Sequence, residues 1–288
     1  MRRTPLVMLK KFDITLTTSW EARHGISGHL FEMIEYFYHL TYHKNLNVCI
    51  LIADGLSREA FATALEKYDF TEDELNKIHE CTFFEFQPQV VVANTLFVVN
   101  GSFRMCNADL LVKKKIVFRC NEDYFLDQAD IVLQDYDIYD ALPNSVHYKK
   151  KILFSKFKKL NPKKPNIGMF YATKNSRKME FDQLQSIINS TEFDSYLFLT
   201  DHQMEVPDRC ELRIVPIKDL WDSFGTYLYT NASVYVDCSP RFIAECKHYG
   251  KDLQFFSNKI DKGLQTRVKD MEQGTIDLKE SDDLCSKI

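Results

Sequence analysis

The sequence predicts an α/β protein made of two Rossmann-like domains with a ligand cleft between them. Three observations support this fold class. At 288 residues the chain is longer than a usual single domain, so two domains of roughly 120–150 residues are expected. Segments typical of buried strands and of amphipathic helices alternate along both halves, which indicates parallel sheets with crossover helices. Between the halves, residues 149–164 contain eight lysines and no acidic residue, which indicates a linker.

The first half contains the clearest patterns. Asn47–Ala53 is a continuous β-rich run, typical of a strand buried on both faces. A helix at Gly28–His43 has apolar residues at helical spacing on one face: Leu30, Met33, Ile34, Phe37 and Leu40. Two further helices are expected at Arg58–Lys67 and Glu72–His79, and Thr71 with Glu74 forms a capping box for the second. The other predicted strands are Lys11–Thr17, Thr82–Phe86, Val90–Ala93, Leu96–Val99, Ile116–Arg119 and Ile131–Gln134.

A second alternating pattern follows the linker. Its predicted strands are Asn166–Ala172, Ser195–Thr200, Glu211–Val215, Ser233–Asp237 and Leu253–Phe256. Its predicted helices are Ser176–Asn189, Leu220–Tyr229 and Pro240–Tyr249. The expected organisation is an N-terminal domain at 1–147, a linker at 148–164, a C-terminal domain at 165–260 and a tail at 261–288.

Composition indicates the compartment. None of the eight cysteines has CxxC spacing and most lie in apolar runs, so we expect reduced, buried thiols and a reducing environment. The apolar stretch near the N-terminus is too short for a signal peptide, and no run approaches the ~20 apolar residues of a membrane span. We therefore expect a cytoplasmic protein. The net charge of −4 by itself neither favours nor excludes nucleic acid.

A polar loop after the first strand, residues 19–29 (SWEARHGISGH), is the first candidate site. Glu21 and His24 pair a carboxylate with an imidazole, a workable general base for a hydroxyl. Gly25 permits a tight turn of the backbone beside a ligand. The alternative is structural, with Glu21 capping a turn and the histidines in solvent. A metal site at His24 and His29 lacks an obvious third ligand.

The second candidate site is the start of the helix after Ser233–Asp237. Ser239 is a good N-cap, and Pro240 is then the first helical residue. Such a helix start binds phosphate, and Arg241 adds a charged donor for a diphosphate. Glu245, one turn later, is placed to contact a ribose. The alternative is a well-capped packing helix in which Glu245 pairs with a lysine.

Two cationic segments complete the candidates. Lys174 and Arg177 follow the strand Asn166–Ala172, where they are placed for a pyrophosphate, although a surface Lys/Arg pair is common. The lysine-rich linker predicts contact with a DNA backbone, against the alternative of a solvated connector. The lysines assigned to that contact are Lys149, Lys150, Lys151, Lys158 and Lys159. Phe154 and Phe157, which interleave with them, are expected to anchor the segment on a domain.

On these residues the chain resembles the GT-B glycosyltransferases. Its small size, few glycines and basic linker are similar to the DNA glycosyltransferases of T-even-type phages, which modify 5-hydroxymethylcytosine. The resemblance implies a UDP-sugar donor carrying glucose or a pentose such as arabinose, with Lys174, Arg177 and Arg241 assisting phosphate release. Glu21 or His24 would take the acceptor proton in an inverting reaction, or position the sugar in a retaining one. The resemblance also implies that the tail packs on the N-terminal domain.

The expected partners follow from the same resemblance. They are a nucleotide sugar and double-stranded DNA, and no membrane partner is expected. We expect a monomer, located in the host bacterial cytoplasm if the protein is phage-encoded. No tightly bound cofactor is expected, and the sequence does not indicate a divalent cation. Two alternatives stay open: a GT-B enzyme acting on a glycan, lipid or small molecule, and a non-catalytic nucleic-acid-binding protein.

Overall fold

The computed structural model describes about two thirds of the chain. The described residues are 10–17, 28–52, 56–84, 91–99, 112–119, 126–150, 152–172, 181–200, 205–213, 217–230, 240–256 and 263–272. The chain divides into two compact units. The first consists of Met1–Ala62, Phe70–Lys149 and Ile276–Ile288, and the second of Thr63–Asp69 and Lys150–Thr275.

In the first unit, seven strands of the described residues form one parallel sheet. They are β1 Lys10–Thr17, β2 Val48–Ile52, β3 Thr82–Phe84, β4 Val91–Val98, β5 Lys114–Phe118, β6 Ile131–Gln134 and β7 Ser145–His147. Their order across the sheet is β3-β2-β1-β4-β5-β6-β7. The first six strands thus have the order of the Rossmann fold, and β7 extends it by one.

The helices of this unit begin where the sequence predicts them. They are α1 Gly28–Tyr38, which continues as a π-helical turn at His39–His43, α2 Arg58–Leu65, whose last three residues are assigned to the second unit, and α3 Glu72–Glu80. The predicted apolar face of α1 is buried, and so is every residue of β2. The Thr71 hydroxyl accepts from the Glu74 amide at 3.3 Å, and the Thr71 amide donates to the Glu74 carboxylate at 2.8 Å. These predictions are confirmed.

The second unit repeats the same plan. Its described strands are β8 Ile167–Ala172, β9 Ser195–Thr200, β10 Cys210–Arg213, β11 Thr226–Tyr229 and β12 Asp252–Phe255. All the pairs are parallel and the order is β10-β9-β8-β11-β12, which is again the Rossmann order. The helices are α4 Phe181–Ser190, α5 Ile217–Leu220, α6 Arg241–His248 and α7 Leu264–Glu272. The predicted fold class, α/β with two Rossmann-like units, is confirmed.

The predicted helix Leu220–Tyr229 is wrong. The chain leaves α5 at Leu220 and forms β11 instead, with all four residues of that strand buried between β8 and β12. Aromatic and β-branched residues dominate Thr226–Tyr229, and burial on both faces suits them to a central strand. A Cβ on Gly225 would lie 2.2 Å from the carbonyl oxygen of Pro165, so the turn into β11 requires glycine.

Two other differences concern the first sheet. The strands predicted at Val90–Ala93 and Leu96–Val99 are a single strand, because Asn94 and Thr95 continue the ladder in which Thr95 pairs with Ile14. Strand β7 is not among the predicted strands.

In the second half, the predicted strand Ser233–Asp237 lies outside the described residues.

Candidate nucleotide-binding site

Each sheet has one position where the strand order changes direction. In the first sheet it lies between β1 and β4, and in the second between β8 and β11. Open parallel sheets bind ligands outside the carboxyl ends of the strands at such a switch point. In the second unit those ends are Ala172 of β8 and Tyr229 of β11. The topology therefore marks one candidate ligand crevice in each unit.

Six of the predicted site residues that lie near these positions in the sequence are outside the described residues. They are Glu21, His24 and Gly25 after β1, Lys174 and Arg177 after β8, and Ser239 before α6. Their contacts stay predictions. What the structure does give is the framework around them, above all helix α6.

One aromatic side chain of helix α6, Phe242, packs against the second sheet. The Phe242 ring stacks on Tyr171 of β8 with centroids 5.0 Å apart and on Trp221 at 5.7 Å. It also meets Tyr227 of β11 edge to face at 5.0 Å. Because Phe242 is the second residue of α6, these contacts hold the first turn of the helix beside both strands of the switch point.

The helix starts one residue later than the sequence predicts. Pro240 is the N-cap and Arg241 the first helical residue, so Pro240 is not itself the first helical position. The φ of −73° suits proline, but the ψ of 47° is not helical. The Pro240 carbonyl still accepts the first helical bond, from the Ala244 amide at 3.2 Å. Pro240 therefore takes the cap position that was assigned to Ser239.

Arg241 and Glu245 belong to a buried cluster of three charges. Nε of Arg241 donates to Oε1 of Glu245 at 2.7 Å, and Nζ of Lys67 donates to the same oxygen at 2.5 Å. The three side chains are each at most 8% exposed. Burial alone would raise the pKa of Glu245, but Lys67 and Arg241 outweigh it and lower the pKa from its ordinary value. The carboxylate is therefore ionised at neutral pH and holds both cations in place.

The alternative in which Glu245 pairs with a lysine is thus what the structure contains, while its contact with a ribose stays a prediction. The partner, Lys67, lies 178 residues away in the sequence. No local spacing could have indicated this pairing.

A second group that the sequence did not single out is Thr230, directly after β11. Its side chain is 4% exposed, and Oγ1 has no hydrogen-bond partner in the part of the chain that the structure describes. Sequence reasoning missed Thr230 because the preceding residues were predicted as a helix. Only a strand places it at the carboxyl edge of the sheet.

The lysine-rich segment is packed and not a free connector. Ile152, Leu153 and Phe157 are buried, and the Asp69 amide donates to the Lys156 carbonyl at 2.7 Å. Phe154 stacks on His248 with centroids 4.5 Å apart. The Phe157 ring meets Tyr68 at 5.4 Å and Tyr249 at 6.2 Å. The expectation that the two phenylalanines anchor the segment is confirmed.

The five lysines assigned to DNA differ in their surroundings. Lys158 and Lys159 are exposed, as a phosphate contact requires. Lys149 pairs with Asp137 at 2.8 Å, and Lys151 lies outside the described residues. Lys150 does not fit the assignment, since it is only 6% exposed next to the buried Ile152 and Leu153. A run of like charges in the sequence cannot show which members turn inward.

The described residues also bear on metal binding and membrane insertion. No cluster of three or more His, Cys, Asp or Glu side chains in these ranges has the arrangement of a metal site. None of the helices among them is long and apolar enough to cross a membrane. The cysteines that the structure describes, Cys49, Cys81, Cys210 and Cys246, are free thiols.

The fold and the described residues define an α/β protein of two Rossmann-like units, each with a switch point. Neither the known protein families nor the curated proteins give a match to this sequence. Solved structures do match. One is an alpha-glucosyltransferase in complex with UDP and a 13-mer DNA containing a central A:G mismatch. It is 11% identical with a TM-score of 0.39, over 91% of this chain and 70% of that one.

Two more solved structures are similar to the same degree. An alpha-glucosyltransferase with UDP and a 13-mer DNA containing a HMU base has the same identity, TM-score and coverage. An alpha-glucosyltransferase in complex with UDP is 11% identical with a TM-score of 0.39, over 90% of this chain and 72% of that one. The chain resembles these enzymes, but at this TM-score nothing about its activity follows from the likeness.

Proposed function

We propose that this chain is a glycosyltransferase that uses a UDP-sugar as its donor. The observation that carries the proposal is the strand order, which is of the Rossmann type in both sheets of one chain. Two such units are what the resemblance to GT-B enzymes implies, with the nucleotide sugar held mainly by the second. The class of reaction is therefore the transfer of a hexose or pentose from a nucleoside diphosphate.

The donor site is assigned to the switch point of the second unit. Phe242 holds the first turn of α6 beside β8 and β11, and Glu245 with Lys67 fixes the guanidinium of Arg241. A pre-positioned cation at a helix start stabilises the negative charge that develops on a departing diphosphate. Lys174 and Arg177, which follow β8, and the backbone near Ser239 are proposed to share that contact.

The acceptor step is assigned to the loop that follows β1. Glu21 or His24 would remove the proton from the acceptor hydroxyl while the sugar moves from the diphosphate to that oxygen. This role applies to an inverting reaction. In a retaining reaction the same two side chains would position the sugar. No divalent cation is assigned a role in either step.

The acceptor we propose is the hydroxyl of a modified cytosine in phage DNA, either 5-hydroxymethylcytosine or its glycosylated form. Exposed lysines at 158 and 159 support contact with a phosphate backbone. A base modified within a duplex would have to be flipped out of the stack. A second candidate acceptor, a glycan, lipid or small molecule, is favoured by the burial of Lys150 and by the pairing of Lys149 with Asp137.

Two binding measurements test the proposal, with UDP and duplex DNA as the probes. UDP should raise the midpoint of thermal unfolding, and duplex DNA should bind with an affinity that falls steeply with salt. UDP binding without DNA binding would move the glycan, lipid or small-molecule acceptor ahead. DNA binding without any effect of UDP would contradict a transferase and favour a non-catalytic nucleic-acid-binding protein.

A further inference from the structure

In the part of the second unit that the structure describes, one buried hydroxyl has no hydrogen-bond partner. Thr230 is 4% exposed, and its Oγ1 makes no hydrogen bond within the described ranges. Almost all buried polar groups in native proteins are hydrogen-bonded, because a hydroxyl removed from water without a replacement bond is unfavourable. An orphaned hydroxyl at a ligand-binding edge of a sheet therefore calls for a ligand.

The strand register places Thr230 at the switch point. Strand β11 pairs with β8 in parallel, with Thr226 beside Gly168. Thr230 directly follows the last residue of β11, and Ala172 is the last residue of β8. Thr230 therefore lies at the carboxyl end of the two strands between which the strand order reverses, where Rossmann-like sheets bind ligands.

The face of the sheet on which Thr230 lies follows from the contacts of the preceding residues on β11. Tyr227 contacts Phe242 of α6, whereas Leu228 packs in a cluster with Leu184 of α4 on the other face. Because side chains alternate along a strand, Thr230 continues the face of Leu228. Helix α4 connects the parallel strands β8 and β9, so it runs antiparallel to them. Its first residues are therefore near the carboxyl ends of the strands. Helix starts on that side are where phosphates bind.

We infer that the Thr230 hydroxyl donates a hydrogen bond to a diphosphate oxygen of the nucleotide donor. This inference rests on the proposed function, since it names a residue of the same donor site. Phosphate oxygens accept hydrogen bonds, and a buried hydroxyl with no other acceptor is free to donate one. Binding thus supplies a hydrogen bond that the described part of the fold does not make.

The inference predicts two effects of opposite sign for Thr230→Val, which replaces the hydroxyl by a methyl group of similar shape. The variant should unfold at a temperature higher by ~2–4 °C, because an unsatisfied buried hydroxyl is removed. It should bind UDP about 10- to 100-fold more weakly, the range for a hydrogen bond to a charged group. Thr230→Ser keeps the hydroxyl and should bind UDP like the parent protein.

A matched control is available on the same strand. Thr226→Val makes the same chemical change on the same face of β11, at the amino end of the strand, and should leave UDP affinity unchanged. The probes are UDP, ADP, GDP, uridine and inorganic pyrophosphate, measured by calorimetry on the full chain. Uridine affinity should be equal in Thr230→Val and the parent protein, whereas pyrophosphate affinity should fall as for UDP.

Equal UDP affinity in Thr230→Val and the parent protein would overturn the inference and leave the proposed function standing. An equal loss for uridine and UDP would overturn the assignment to the diphosphate. If the parent protein binds ADP or GDP but not UDP, and Thr230→Val weakens that binding, the inference holds and the UDP-sugar proposal fails. Binding of none of the probes would overturn both.

Discussion

The substitution Glu245→Gln tests whether the buried charge cluster organises the second unit. Glutamine keeps the shape of the side chain but removes the charge that Lys67 and Arg241 share. Both cations would then remain side by side in a site where each side chain is at most 8% exposed. The variant should therefore be strongly destabilised.

The contacts of Glu245 with Lys67 and Arg241 determine how much stability the variant should lose. At an effective dielectric constant of ~20, nitrogen–oxygen separations near those observed correspond to roughly 6 kcal/mol of Coulomb energy per pair. Desolvation of three buried charges offsets much of that attraction. Removing one partner from a buried ion pair usually costs about 3–5 kcal/mol, and we expect Glu245→Gln to fall in this range. Lys67→Met should cost less, because Glu245 keeps its bond from Arg241.

Urea unfolding followed by tryptophan fluorescence measures the loss, since Trp221 is buried in the same unit. Glu211→Gln is the matched control. Its partner Arg213 lies 3.9 Å away and both side chains are about half exposed or more, so this change should cost less than ~0.5 kcal/mol. Equal stability of Glu245→Gln and Glu211→Gln would refute the ion cluster.

The cluster also makes a pH prediction with a definite sign. The pKa of Glu245 is lower in the folded protein than its ordinary value of 4.5. The carboxylate therefore contributes stability above that pH and loses it as the pH falls through the folded pKa. Glu245→Gln should lack this part of the acid sensitivity of the parent protein.

Three further predictions concern other parts of the chain. Glu21→Gln and His24→Ala should lower turnover by ~10²–10⁴-fold with UDP affinity nearly unchanged, and full turnover in both would show that the loop is structural. Replacing Lys158 and Lys159 by Gln should reduce the steepness of the slope of log DNA affinity against log salt by ~0.9 for each lost phosphate contact, and UDP binding should be unaffected. An unchanged slope would remove the main support for a DNA acceptor. Burial, with His43 and Lys44, lowers the pKa of His39 to about 4 from 6.5, so the protein should lose about 2–3 kcal/mol of stability as the pH falls from 6.5 to 4. His39→Phe should remove that loss in urea titrations, and an equal loss in the variant would show that other groups cause it.

Local patterns predicted most of the fold. The apolar face of α1, the buried run of β2 and the capping box at Thr71 each depend on residues within a few positions of one another. Such patterns can be recognised from the sequence alone. The fold class followed because the alternation of strands and helices permits few arrangements other than parallel sheets with crossovers.

The failures have physical causes that lie outside a local window. Thr226–Tyr229 suits a strand only because β8 and β12 bury it from both sides. The pairing of Lys67 with Glu245 joins residues 178 positions apart. Lys150 turns inward within a run of charges that alone suggests solvent. The candidate site was therefore predicted as a set of loops and helix starts, whereas its buried contacts required the three-dimensional fold.

The most direct test of the proposed glycosyltransferase activity is sugar transfer itself. The protein is incubated with DNA containing 5-hydroxymethylcytosine and a panel of UDP-sugars that includes glucose and arabinose donors. The nucleosides are then released and analysed by mass spectrometry. We predict that the modified cytosine gains one hexose or pentose with a matching donor, and that unmodified cytosine gains none. DNA that emerges without any added sugar from every UDP-sugar in the panel would contradict the proposed activity on DNA.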